Sequence, residues 1–398
     1  MIAALAACLL ATSGGGAAVH AAAGTAGSRP PFHAIAFVND PLSHGQVGDA
    51  LLSLNEAIRL HNGTLPYASL SSAEQAQLSV IPGTGGTTDV TWIDIDGGNT
   101  PTITIEQDLD PVLDTTFGLL VKGYGEIPTL DFTGANLAHG FRAPTNAITL
   151  EDLVLFGGPY GLDVTQTDVT GQPGAVCDHV RFEGQSQFGV RVSAGTQGGV
   201  GRVVLTGCTF VSVPHAVEST DTGAGRATIF ELRDCEITGA VHGVRAAVGG
   251  GGGSARFTLL RSIVEASGDG VALALPATNG RPALIEGTHL RVRAGACVTA
   301  NVSTDQQTWV DAAMWHLGAT APGGVALQLG SANAPVFGEL RECTFAGDVT
   351  LAAGGAAQPL AVRNARARDG AINLSTSAGQ PLTVTESRFE SCQVDAPG

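Results

Sequence analysis

Apolar and polar positions alternate in short runs along most of the chain, and the runs repeat. The segment VVLTGCTF, ending at Phe210, has counterparts in FELRDCEI ending at Ile237, FTLLRSIV at Val264 and ALIEGTHL at Leu290. The same frame continues through VDAAMWHL at Leu317, GELRECTF at Phe345, LAVRNARA at Ala367 and LTVTESRF at Phe389. Upstream it takes in ITLEDLVL at Leu155 and AVCDHVRF at Phe182. These anchors recur every 22 to 28 residues, a period that marks a stacked-repeat architecture. An apolar residue sits five places before each anchor: Leu150, Cys177, Leu205, Leu232, Leu259, Ile285, Ala312, Leu340, Val362 and Val384. Two places before the anchor the residue is usually small, as at Cys208, Cys235 and Ser262. Period-two spacing puts that residue and the anchor on one face of a strand, with polar residues facing out.

A second short strand recurs beyond the anchors, in Gly189-Val190-Arg191-Val192, Gly243-Val244-Arg245-Ala246, Gly270-Val271-Ala272-Leu273 and Gly324-Val325-Ala326-Leu327. The leading glycine predicts a tight corner with positive φ. No leucine-rich consensus is present, and the unit is too short for a four-stranded propeller blade. The predicted fold class is therefore all-β, a single right-handed parallel β-helix over 91–398. Stacked coils bring like residues together in ladders. Leu205, Leu232, Leu259 and Ile285 are expected to form one, and Phe210, Ile237, Val264 and Leu290 another.

The N-terminal part reads differently. Met1 to Ala23 has an apolar run, Ile2 to Ala11, then small residues that suit a secretory leader cut near Ala21 or Ala23. No basic residue precedes the run. Leu5-Ala6-Ala7-Cys8 also fits a lipid-attachment box, although an ordinary leader core is the preferred reading. Residues 24–34 form a linker, and 35–90 a cap region. Within the cap, Gly48 to His61 predicts a short amphipathic capping helix, with Leu51, Leu54, Ala57 and Ile58 on one face and Asn62-Gly63 as its stop.

Composition narrows the function. The chain has 36 acidic and 20 basic residues and a formal charge of −16, which disfavours nucleic acid. The leader run is too short to span a bilayer, and no membrane span is expected elsewhere. Beyond the leader, Cys177, Cys208, Cys235, Cys297, Cys343 and Cys392 are scattered without zinc spacing. Cys208 and Cys235 are expected to neighbour each other as buried thiols, or alternatively as an inter-coil disulfide.

The segment SLNEAI followed by Asn62-Gly63, with the later WIDIDGGNTPTITIEQDL and LLVKGYGEIPTLDFTGA, resembles the N-terminal module of CSLREA-type bacterial secreted β-helix proteins. Leu52 stands where that module usually has cysteine, and Asn55 where it has arginine. The resemblance implies a pectin-lyase-like fold and a secreted or cell-surface location. It implies no particular reaction.

Candidate chemistry is sparse. The N-T-D, paired-Asp, G-H-G and R-I-K signatures of β-helix hydrolases do not occur, so no catalytic residue is assigned. Glu106, Asp108, Asp110 and Asp114, with Asp94 and Asp96 upstream, are compatible with calcium, although turns use the same residues. No other cofactor or metal is expected. His289 and His316 lie one coil apart and face outward, which suits an incidental ladder better than a metal pair. Arg191, Glu218 and Arg245 share one strand position on successive coils, and His215 and His242 share another. They read as a surface ion-pair ladder or as a shallow groove for a carboxylated sugar. The expectation is a monomeric, non-enzymatic extracellular protein, adhesive or structural, with weak contacts to extracellular polysaccharide or cell-surface components. The alternative is a polysaccharide lyase or glycoside hydrolase.

Overall fold

The computed structural model describes residues 34–395 apart from 44–46, 81–89, 114–117, 135–136, 145–147, 167–173, 195–199, 220–226, 248–253, 276–282, 295, 305–309, 316–317, 321–324, 347, 357–359, 369, 377–381 and 391–392. The leader-like segment lies outside them.

Each coil contributes three strands to three faces of a parallel β-solenoid. In the middle coils the first face holds Val200–Thr206, Ala227–Arg233 and Ser254–Leu260. The second holds Thr209–Val211, Glu236–Ala240 and Ile263–Ala266, and the third His215–Ser219, His242–Ala247 and Asp269–Leu275. Second-face strands make a separate 13-stranded sheet. First and third faces merge into one 24-stranded sheet, because the strand Val325–Arg341 runs from the third face of one coil into the first face of the next.

The corner between first and second faces is a single left-handed residue. Asp152, His179, Asp234, Arg261, His289, Glu342, Asn364 and Glu386 all have φ between 48° and 54°. Asn and Asp tolerate this region, whereas other side chains adopt it at some cost. Gly189 and Gly243, which lead third-face strands, serve another purpose than the positive φ expected of them; Gly324 lies outside the described residues. A Cβ on Gly189 would sit 2.7 Å from the Phe210 ring, and one on Gly243 would meet Val264 at 2.4 Å. They make room for the second-face anchor of the next coil.

The core is built from in-register columns. Leu205, Leu232 and Leu259 align on the first face, and Phe182, Phe210, Ile237 and Val264 on the second. Phe182 and Phe210 stack with ring centroids 4.7 Å apart. Two expected members are displaced. Ile285 pairs with Phe257, and the partner of Leu259 is Gly287. The anchor after Val264 is Val292, not Leu290, and the next is Ala319, not Leu317. Leu290 instead occupies the small-residue position held by Cys235 and Ser262. It fits because Gly287 vacates the leucine column: a Cβ there would lie 3.2 Å from Leu290 Cδ2.

The predicted N-terminal helix is shorter than its pattern. Helix α1 spans Leu54–His61 and begins at the N-cap Ser53, whose hydroxyl and the Glu56 carboxylate form a reciprocal capping box. Residues 48–51 bend instead, with Gly48 and Ala50 at positive φ, because other groups take the backbone of 48–52. Glu74, in the short helix α2 (Ser72–Gln75), accepts from Gly48 N, and Gln77 accepts from Leu52 N and donates to Ala50 O. Leu51 is consequently exposed, while Leu54, Ala57 and Ile58 are buried. The helix packs against the first-face strands Ala34–Val38 and Val90–Asp96, and Asn55 and Asn62 tie it to the backbone of Asp110, Pro111 and Leu113. The outer edge of Ala34–Val38 is paired by Leu78–Val80, running antiparallel.

Two outcomes are expected. Leu232→Asp buries an unpaired carboxyl in the first-face column, costs several kcal/mol, and shows as loss of the cooperative melting transition. Gly189→Ala crowds the Phe210 ring and costs about 1–3 kcal/mol. A second change, Phe210→Leu, is expected to recover part of that loss in a double-mutant cycle measured by urea unfolding.

Candidate functional site

The outward positions of the third face form two adjoining columns. On Tyr160–Gln166, Phe188–Ala194, His215–Ser219 and His242–Ala247, valines and Leu162 point inward and are sealed. One outward column runs Tyr160, Phe188, His215, His242. The other runs Arg142, Asp163, Arg191, Glu218, Arg245. All five sequence-nominated residues, Arg191, His215, Glu218, His242 and Arg245, therefore meet on this face.

In the ring column, each ring lies on the next. His139 stacks on Tyr160 at 5.4 Å, Tyr160 on Phe188 at 5.5 Å, Phe188 against His215 at 4.9 Å, and His215 on His242 at 4.9 Å. Coil spacing imposes this distance. Because the rings cover one another's faces, the strip presents mainly edges outward.

Charges in the second column settle among themselves, though not in the pattern the spacing suggested. Arg191 turns back to Asp163, with Nε donating to Oδ1 at 3.0 Å and Nη2 to Oδ2 at 2.5 Å. It also lies 4.3 Å over the Tyr160 ring and donates to its hydroxyl. Burial alone would lower the Arg191 pKa, but the Asp163 hydrogen bond and charge outweigh it and raise it above the ordinary arginine value. Glu218 faces its own strand neighbour: Oε2 is 2.6 Å from His215 Nδ1, off hydrogen-bond alignment. Arg245 reaches Glu218 only at 3.9 Å. His242 Nδ1 faces Asp269 at 3.1 Å, and His139 Nδ1 faces Asp163 at 3.8 Å. Asp163 and Glu218 are nearly sealed, at 5% and 7% exposure. Such carboxylates need their cations close.

Asp163, His139, Tyr160, Phe188 and Asp269 escaped the sequence reading. Extending the third-face frame one coil upstream of Arg191 would have found Asp163 and Tyr160.

The acidic cluster considered for calcium is spread over separate structural tasks. Asp108 accepts from the backbone of Ala138 and His139, Asp96 from the Gly98 backbone and the Asn99 side-chain amide, and Asp110 lies 3.7 Å from Arg59. Asp94 stands in register with Lys122, and burial raises its pKa despite the Trp92 hydrogen bond and the Lys122 charge. Asp114 lies outside the described residues, as does His316, the suggested partner of the exposed His289. Among the described residues no group of three or more metal-ligating side chains converges, and no helix is long and apolar enough to cross a membrane.

Cys177, Cys208 and Cys235 are buried free thiols, and Cys343 is buried as well. Cys208 donates to the carbonyl of Cys177, and Cys235 to that of Leu205. The hydrogen bond with Cys235 and burial push the Cys208 thiol up.

No protein-family model matches the chain, and neither a curated protein nor a solved structure does.

Arg191→Ala strands the nearly buried Asp163 carboxylate. The expected cost is about 1–3 kcal/mol in urea unfolding, since Arg191 is itself partly solvated. Arg245→Ala is expected to cost less than about 1 kcal/mol. Equal costs would contradict this division of the column.

Proposed function

We propose that this protein is a non-enzymatic extracellular β-helix acting as an adhesive or structural surface element, with extracellular polysaccharide or cell-surface components as its partners. One observation carries the reading: on the face that gathers the nominated residues, the two nearly sealed carboxylates each have a cation or imidazole beside them. Asp163 is clamped by Arg191, and Glu218 lies between His215 and Arg245. A column that neutralises itself stiffens the stack. A hydrolase would instead need two carboxylates aimed at one glycosidic bond. The leader-like N terminus and the resemblance of SLNEAI to the N-terminal module of secreted pectin-lyase-like proteins support the same reading.

A polysaccharide lyase or glycoside hydrolase is the second reading. The contact between Glu218 and His215, unaligned as it stands, favours it, because a carboxylate–imidazole pair is suited to proton transfer.

Incubation with polygalacturonate, alginate and neutral glucans separates the two. The expected outcome is no unsaturated product and no new reducing ends, with Glu218→Gln altering only the melting temperature. Product released by the unmodified protein and lost in Glu218→Gln would overturn the non-enzymatic reading.

A further inference from the structure

The second face changes character toward its C-terminal coils. Strands Thr344–Ala346, Arg366–Arg368 and Arg388–Glu390 lie side by side there. Their outward positions place Arg366 directly beside Arg388 and Thr344, with Arg368 on the same side two residues along, in register with Glu390. Parallel pairing sets the backbones of Arg366 and Arg388 about 4.8 Å apart. Like charges in direct register destabilise a sheet. On the third face the same geometry is used with opposite charges, so the arrangement here calls for a different explanation.

Arg388 is engaged by Glu390, Nη2 to Oε1 at 2.6 Å. Among the described residues, the guanidinium groups of Arg366 and Arg368 have no ion pair, although the chain has far more carboxylates than cations. They line an open depression of about 590 Å³, with Thr344, Asn364, Arg388, Glu386 and Glu390 around them. Asn364 occupies the left-handed corner that holds Glu342 and Glu386 on the coils either side. That corner is thus uncharged beside the arginines. Each guanidinium presents a planar fork suited to two oxygens of a carboxylate or sulfate. Screening over about 8 Å at physiological ionic strength keeps the overall negative charge from deciding what approaches this patch.

We infer that the depression formed by Arg366, Arg368 and Arg388 is an oxyanion-binding site that takes the carboxylate or sulfate groups of an acidic polysaccharide. The inference rests on the reading of the protein as a partner of extracellular polysaccharide. It places that contact on the second face and leaves the third-face column a structural role.

Calorimetric titration of the full chain with polygalacturonate, dextran sulfate and unmodified dextran tests it. The wild type is expected to bind at least one acidic polymer, to weaken as salt is raised, and to ignore dextran. Which acidic polymer binds identifies carboxylate or sulfate as the group recognised. The double variant Arg366→Ala/Arg368→Ala is expected to lose at least ten-fold in affinity while keeping or raising its melting temperature, since both side chains are exposed. Lysine at both positions should restore only part of the binding, and Arg245→Ala should leave it unchanged. Undiminished binding by the alanine double variant would overturn this site and leave the polysaccharide reading standing. Failure of the wild type to bind either acidic polymer would overturn both.

Discussion

In a parallel stack every side chain meets the residue at the same position one strand spacing away, above and below. No side chain chooses its environment alone. Inside, this turns Phe182 and Phe210, or Phe230 and Phe257, into stacked ring pairs. It also makes volume a shared quantity between columns: Gly189 yields to Phe210, and Gly287 yields to Leu290. Outside, the same constraint acts on charge. Asp163 and Arg191 satisfy each other across one coil step, and so do Asp234 and Arg261 at the first corner. The Arg261 hydrogen bond holds the Asp234 carboxyl below its usual value.

The fold was legible because repetition multiplies a weak signal. A single VVLTGCTF-like segment says little, but its recurrence defines coil, face and core column. The reading slipped where the columns exchange volume. Gly287 has no side chain to mark the leucine position, so the apolar Leu290 after His289 passed for an anchor, two residues before the true one at Val292. The N-terminal helix was overdrawn for a different reason. Leu51 continues the helical spacing, but side chains about 25 residues away, Glu74 and Gln77, hold that stretch out of the helix. Periodicity is a local property and does not register such tethers.

The candidate site was half legible. Residues that share a coil position, Arg191, Glu218 and Arg245, could be aligned by counting. What each one pairs with could not, because Arg191 has carboxylates on both neighbouring coils and only side-chain geometry selects Asp163. The second-face arginines are the converse case. Their alignment was available from the same frame, since Arg366 and Arg388 each stand one residue before an anchor. Their interest comes from Arg366, whose register neighbours are Thr344 and Arg388 rather than a carboxylate, and which groups its side chain meets is a property of the folded surface.

Leu78–Val80 has a further consequence. A solenoid's end strand is a template, and a second molecule whose coils run in the same sense can extend the stack. Here the parallel edge of Ala34–Val38 is already occupied by a strand of reversed direction. An incoming copy finds there only the three-residue outer edge of Leu78–Val80 in place of the full length of Ala34–Val38. Head-to-tail polymerisation is thus opposed at that end by a covered, shortened edge rather than by repulsive charge, and salt would not relieve it.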